Sequence, residues 1–253
     1  MSATTQTSPA LTRLKDSLHI KEEVILSDRL AAMLRPYCEG RAPRLLEIGC
    51  SNGKYASRRR SQMGGTADVY GVDVGTMRLE EAKQRGIRAY SCDCEREKLP
   101  FESDFFDMVI SNQVMEHLKE IHLVTDEIHR VLKPNGLLLV SVPNLAALHN
   151  RLLLLFGRQP TTLRAMTEHV RGFAPDEFVR FLTLNGLFDL VSYKASGFYP
   201  IPPPLSGLLS KVFPRLSVFQ IALLRKARSD GPKWVSEFKR LHIEGYGEDF
   251  WYE

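Results

Sequence analysis

The chain has 253 residues, 43% apolar and 25% charged, which suits one large globular domain or one domain with an appendage. Its net charge of +4 argues against a nucleic-acid binder, which carries a concentrated basic face. Cysteines stand at 38, 50, 92 and 94 without a C-x-x-C pair, and no histidine pair completes a zinc site. The expectation is therefore free thiols in a reducing cytoplasm, with no metal. The opening "MSATTQTSPA" lacks an apolar stretch and does not read as a secretory signal. The most apolar runs, "RLLLLFGR" and "IALLRKAR", are short and flanked by charge, so no membrane span is expected.

In chain order, Leu11 to about Tyr37 carries apolar residues at three- and four-residue spacing and predicts a helix, which Pro36 and "CEGRAP" stop. The periods then alternate. "RLLEIG" is a first strand that opens a glycine-rich turn, and residues 53 to 62 read as a helix. "DVYGVDV" is a second strand, 76 to 85 a helix ending at Gly86, and "IRAYSCD" a third strand. "FDMVISNQ" is a fourth, and 117 to 132 form an amphipathic helix ended by a turn at "KPNG". "GLLLVSVPN" is a fifth strand. A helix starts at Pro175, and "FDLVSYKASG" and "SVFQIALLRKA" are late strands. The Pro-rich "FYPIPPPLSG" reads as a surface loop. Strands alternating with helices predict an α/β fold: a Rossmann-like, doubly wound, mostly parallel seven-stranded sheet covered on both faces. Ligands of such sheets bind at the carboxyl ends of the strands. Three segments follow: an N-terminal helical segment or lid over 1–40, the main domain over 41–228 with a cap insertion at about 145–174, and a tail over 229–253.

The turn "LLEIGCSNGKY" at 45 to 55 has several readings. Gly49-Cys50-Ser51-Asn52-Gly53 fits the G-x-S-x-G serine elbow, but no oxyanion-donor segment precedes it. A P-loop needs one more residue, and Tyr55 stands where its Ser or Thr would be. The dehydrogenase pattern would need glycines at 51 and 54, where the chain has Ser51 and Lys54. Asp73, 24 positions after Gly49, ends the second strand, where an acid can hold a ribose diol. An adenosine cofactor without a pyrophosphate suits these residues best.

Four segments then carry a resemblance. "LLEIGCSNGKYA", "VYGVDV", "SCDCEREKLPFESDFFDMVISNQVMEHL" and "HRVLKPNGLLLVSVPN" are similar, in order and spacing, to the motifs of class I S-adenosylmethionine-dependent methyltransferases of the type 11, small-molecule branch. Ser51 departs from the usual glycine. The resemblance implies S-adenosylmethionine as cofactor. It places Glu47, Gly49, Cys50, Ser51 and Gly53 along the methionine part and Asp73 with Val74 at the ribose. It puts Asp93 and Cys94 at the adenine, and Asn112 and Gln113 under the sulfonium.

Two histidines are the candidates for removing the acceptor's proton. His117 follows the fourth strand, and His169 lies in the cap, where similar enzymes carry a histidine that reaches the pocket; Glu116 and Arg171 stand behind them. The plainer readings are a locally packed His117 and an exposed loop His169. His19, His122, His129 and His242 are expected to be solvated, and Arg58-Arg59-Arg60 to form the wet face of a helix. The expected reaction is in-line methyl transfer to a small molecule, with an oxygen of a sugar, quinone or lipid-linked glycan preferred. Residues 197–228 mix aromatics with cations in a way compatible with peripheral contact with anionic lipid. The stretch from Arg85 to Pro160 also resembles the methionine-biosynthesis W group, which implies the alternative of a catalytically silent subunit partnering an acyltransferase. Oligomeric state is not legible.

Overall fold

The computed structural model describes residues 9–165 and 167–227; the tail expected over 229–253 and His242 lie outside them. The chain runs α1 (Pro9–Leu34), a 3-10 turn, β1 (Arg44–Ile48), α2 (Lys54–Gln62), β2 (Asp68–Asp73), α3 (Thr76–Gln84), β3 (Arg88–Ser91) and β4 (Phe106–Asn112). It continues through α4 (Ile121–Val131), β5 (Leu132–Pro143), α5 (Leu148–Leu155), α6 (Pro175–Thr183), β6 (Phe188–Ser196), α7 (Leu205–Val212) and β7 (Phe219–Lys226). The seven strands lie in the order β3-β2-β1-β4-β5-β7-β6. β1 to β5 pair in parallel, whereas β7 enters antiparallel between β5 and β6. This is the expected doubly wound sheet. Strand order reverses between β1 and β4, and a crevice opens beyond their carboxyl ends at such a point.

Strand alternation divides the core into two layers. Leu46 and Ile48 of β1 face one layer with Val109 and with Ile121, Val124, Ile128 and Val131 of α4. The three- and four-residue spacing in α4 puts all of these on one helical face. Leu45 faces the other layer, with Leu26, Leu30, Met33 and Leu34 of α1 and Ala56 of α2. The second half of α1 is thus part of the core. Pro175 starts α6 at a position where a missing N–H costs nothing, with Asp176 and Glu177 in the first turn.

Four local expectations change. Arg59 is not on the wet face: its side chain is 1% exposed and ion-paired with Glu47, and its Nη1 donates to Ser27 Oγ at 3.1 Å. It lies on the face of Ala56 and Met63, three and four residues away, and that face is buried. Arg58 stays at the surface on Asp28 (2.7 Å). "KPNG" does not end a helix in a free turn. It forms a bulge inside β5, with Asn135 at φ 62°, and the register jumps from Phe106↔Leu132 to Met108↔Leu137. The Pro-rich stretch is not a loop throughout: its end, from Leu205, is the start of α7. His122 and His129 are half-buried rather than solvated, with rings edge-on to Phe181 (5.6 Å) and Phe188 (5.3 Å).

The Ser27–Arg59–Glu47 link ties α1 and α2 to β1 from inside. Arg59→Ala strands the Glu47 carboxylate in the core. It should lower the free energy of unfolding by about 3 to 5 kcal/mol, read by urea denaturation, whereas Arg58→Ala should cost at most about 1 kcal/mol. Equal effects would show that the inward pair carries no special weight.

Candidate functional site

The turn after β1 is built from left-handed backbone. Gly49, Ser51 and Gly53 have φ of 69°, 49° and 72°. Two of these conformations are free for glycine; at Ser51 a side chain accepts the cost. The Ser51 N–H is repaid by Asp73 Oδ2 at 2.8 Å, so the departure from glycine leaves the turn intact. A Cβ at Gly49 would sit 2.5 Å from Val114 Cγ2, and one at Gly53 would sit 2.9 Å from Ala82 Cα. The turn therefore lies directly against the segment after β4 and against α3.

Asp73 stitches two loops. Its Oδ2 takes Ser51 N–H and its Oδ1 takes Gly75 N–H, each at 2.8 Å. Each oxygen keeps further lone-pair capacity, and the side chain is half-buried. Val74 beside it is 67% exposed, an apolar surface at the lip of the crevice. Asp93 Oδ1 accepts from Glu95 N–H at 3.1 Å, and its Oδ2 faces Arg96 Nε at 3.5 Å. Asn112 Oδ1 accepts from Ser141 Oγ at 2.6 Å. Gln113, at φ 55°, donates its backbone N–H to Ser141 O at 2.9 Å. Glu47 gives one oxygen to Arg59, and Oε2 is buried with no hydrogen-bond partner.

The cysteines are packing groups. Cys50 lies against Gly71, where a Cβ would meet its Sγ at 2.6 Å. Burial, with Glu47 and Asp73 nearby, pushes its thiol up to about 12, and burial first of all does the same to Cys94. Gly71 and Ser141 lie within quoted motifs but are not among the expected site residues; the Cys50–Gly71 fit and the Asn112–Ser141 bond exist only between neighbouring segments of the sheet edge.

The cap closes on the segment after β4. Val170 N–H donates to Glu116 O at 2.9 Å, and Arg171 donates from Nε to Leu118 O at 3.0 Å and from Nη2 to Lys119 O at 2.8 Å. This strap brings His169 to His117, with ring centroids 4.7 Å apart. His117 Nδ1 lies 3.2 Å from Glu168 O, and His169 Nδ1 lies 2.8 Å from Thr162 O. Glu116 is 1% exposed, and neither carboxylate oxygen has a hydrogen-bond partner. Burial pushes its carboxyl up to about 8. One ligand atom from each of Glu116, His117 and His169 lies within 4.8 Å of the others. The expectation of no metal considered only local spacing; the fold brings together residues 52 positions apart. A hollow of about 610 Å³ near Cys38 and Met63 opens at the opposite, amino edge of the sheet and contains none of the predicted site residues.

The strand order, the glycine turn against Val114 and the acid ending β2 define a Rossmann-like domain of the kind that holds a nucleoside cofactor. Residues 46–140 match the family model described as "Methyltransferase domain". With this topology, they form a class I S-adenosylmethionine-dependent methyltransferase domain. The chain is 33% identical over 97 residues to a 2-phytyl-1,4-naphtoquinone methyltransferase of Nostoc punctiforme, covering 36% of this chain and 42% of that protein. It is 28% identical over 131 residues to a ubiquinone biosynthesis O-methyltransferase of Bartonella bacilliformis, covering 50% of each. The chain thus spans half or less of the length of these two curated relatives. In fold it is similar to the magnesium protoporphyrin IX methyltransferase of Synechocystis PCC 6803 solved with bound SAH, with a TM-score of 0.61, 14% identity and coverage of 89% of this chain and 90% of that one.

The residues present fit S-adenosylmethionine. The turn brings backbone close where a Cβ would intrude, the Glu47 Oε2 orphan can accept from an ammonium group, and Asp73 has lone pairs left for a diol. Gly49→Ala adds a methyl where Val114 already stands and forces a strained φ. It should weaken S-adenosylhomocysteine binding at least tenfold in calorimetry, with the circular dichroism spectrum retained. Unchanged affinity in the folded variant would place the cofactor elsewhere.

Proposed function

We propose that the chain is a methyltransferase that moves a methyl group from S-adenosylmethionine to an oxygen of a quinone-like or lipid-linked acceptor. The observation that carries the reading is Asp73, whose carboxylate ties the glycine turn to the loop after β2 and keeps lone pairs for a ribose diol. When bound, the cofactor supplies a methyl group already activated by its sulfonium. The residues supply position. Glu47 Oε2 would take the ammonium, Asp93 the adenine amino group, and Val74 and Cys94 the faces of the nucleoside. Asn112 and Gln113, pinned to Ser141 of β5, form the floor. Holding two reactants at about 3 Å can contribute roughly 7 to 11 kcal/mol, against about 10²- to 10⁴-fold for proton removal. Rigid strand ends therefore matter more than any one side chain. The strap from Arg171 holds the cap to the segment after β4, on the acceptor side. His117 and His169 face that side.

The acceptor class is supported by an apolar ridge formed by α5 of the cap and by α7. Leu155 and Phe156 at the end of α5 are 76% and 74% exposed, between Arg151 and Arg158. Leu208 and Val212 of α7 are each 59% exposed, next to Lys211. His149 and Tyr199, with rings 5.3 Å apart, join the two segments. Exposed leucines beside cations suit the surface of an anionic membrane. Within 197–228 the contact would belong to Tyr199 and α7. β7 is core, and its Lys226 is buried on Asp104 (2.8 Å) and Leu132 O (2.6 Å). No helix among the described residues is long and apolar enough to cross a membrane. The two relatives named for quinone methylation point the same way.

The test is label transfer from methyl-labelled S-adenosylmethionine to membrane and soluble extracts. Label should enter the organic-soluble fraction. Label in a water-soluble product would overturn the acceptor class. Binding of S-adenosylhomocysteine with no transfer, together with a co-purifying acyltransferase, would favour the silent-subunit alternative. Separately, the protein should co-sediment with vesicles of phosphatidylglycerol and phosphatidylcholine. Phe156→Glu should reduce the bound fraction at least fivefold, and equal sedimentation would remove the ridge from the argument.

A further inference from the structure

The acceptor side holds a group of side chains that methyl transfer by positioning leaves unexplained. A carboxylate that is 1% exposed, with both oxygens unpartnered, carries a desolvation cost that a buried charge normally recovers from a cation. Two imidazoles each bring a ring nitrogen within 4.8 Å of it, and their tautomers follow from geometry. Each Nδ1 faces a backbone carbonyl, Glu168 O for His117 and Thr162 O for His169. A carbonyl only accepts, so each Nδ1 carries a proton, and in the neutral ring Nε2 is the nitrogen that keeps a lone pair. Imidazoles that ligate metals are oriented in this way, with the other ring nitrogen donating to a carbonyl or carboxylate.

We propose that Glu116, His117 and His169 bind one first-row divalent transition metal of the zinc type. The three ligand atoms lie within 4.8 Å of one another. A tetrahedral ion with ligands at 2.0–2.1 Å needs them about 3.3 Å apart, so binding would draw the three groups together. Two imidazole nitrogens and one carboxylate oxygen favour zinc, iron, cobalt or nickel over magnesium or calcium, which prefer oxygen sets. Three protein ligands leave at least one coordination position open, as in catalytic rather than structural sites. If the chain transfers methyl groups as proposed, that position is where a hydroxyl oxygen of the acceptor binds and becomes more acidic. The Nε2 lone pairs of His117 and His169 are then committed to the ion, and neither histidine is the base. The ion also spans the cap and the sheet edge, since His169 belongs to the first and Glu116 and His117 to the second.

The experiment uses the untagged full chain, stripped by chelator and titrated with Zn²⁺ in calorimetry, with S-adenosylhomocysteine titrated into the same samples. One equivalent of Zn²⁺ per chain should bind at micromolar affinity or better, and Glu116→Gln and His169→Gln should each weaken it at least tenfold. Co²⁺ added to wild type should give the visible absorption bands of a four- or five-coordinate ion. Residues 158–171 should gain protection from hydrogen exchange when Zn²⁺ is added. Absence of stoichiometric Zn²⁺ binding, or equal binding in both folded variants, overturns the site. So does a Co²⁺ spectrum identical to that of the aqueous ion, a readout that does not depend on any variant folding. Zn²⁺ binding without S-adenosylhomocysteine binding would uphold the metal site and sink the methyltransferase reading. The reverse would do the opposite.

Discussion

Glycine backbone must come within contact of Val114, Cys50 and α3 at the carboxyl edge of β1, and the arrangement of the site depends on that constraint. The turn can lie against Val114, α3 and β2 only where Gly49, Gly53 and Gly71 carry no Cβ. The close approach also puts Ser51 N–H and Gly75 N–H within reach of one carboxylate, so that Asp73 closes both loops with two bonds of 2.8 Å. An acid in this position is structural and available for a ligand at once, because two bonds do not exhaust two carboxylate oxygens. The same holds for Glu47, one oxygen of which anchors Arg59 while the other is left over. These residues do not need to be reserved for a cofactor in order to hold one.

Much of the fold was legible because β1, β2 and β4 of the first half are short, mostly apolar runs bounded by glycine, proline or acid, and each helix has a separate period. The strand ends that form the cofactor side follow from that punctuation. Arg59 was misread because three consecutive arginines look uniformly polar. The local sign of its inward turn is its three- and four-residue spacing from Ala56 and Met63, and that sign is weak without knowing which face α1 covers. The bulge in β5 was read as a turn because Pro134, Asn135 and Gly136 form a turn signal in either setting. α7 was hidden by the prolines before it. They suppress a helix reading, although a proline-rich lead-in can end where a helix begins.

The acceptor side was less legible for a different reason. His169 was singled out, but its closeness to Glu116 and His117 depends on a strap in which Arg171 and Val170 use backbone carbonyls of the segment after β4. Carbonyls leave no trace in a sequence pattern. The burial of Glu116 is likewise a property of the closed cap. In "QVMEHL" alone, glutamate next to histidine is an ordinary solvent-facing pair.

The two halves of the site therefore use different materials. The cofactor side is made mainly of backbone geometry: left-handed turns, missing Cβ atoms and amides aimed at a carboxylate. Such geometry tolerates little change, and the family match over 46–140 covers it and stops within β5. Apart from Glu116 and His117, the proposed acceptor side is made of side chains beyond that limit, on the cap with its α5 and on α7, attached through backbone carbonyls that almost any residue provides. Side chains on such an attachment can vary without disturbing the sheet. On the proposed reading, the fold keeps one donor chemistry fixed while leaving the acceptor side and the exposed ridge of Leu155 and Phe156 free to differ. The cluster of Glu116, His117 and His169 sits on the seam between the halves, and a ligand bound there would draw the variable half onto the constant one.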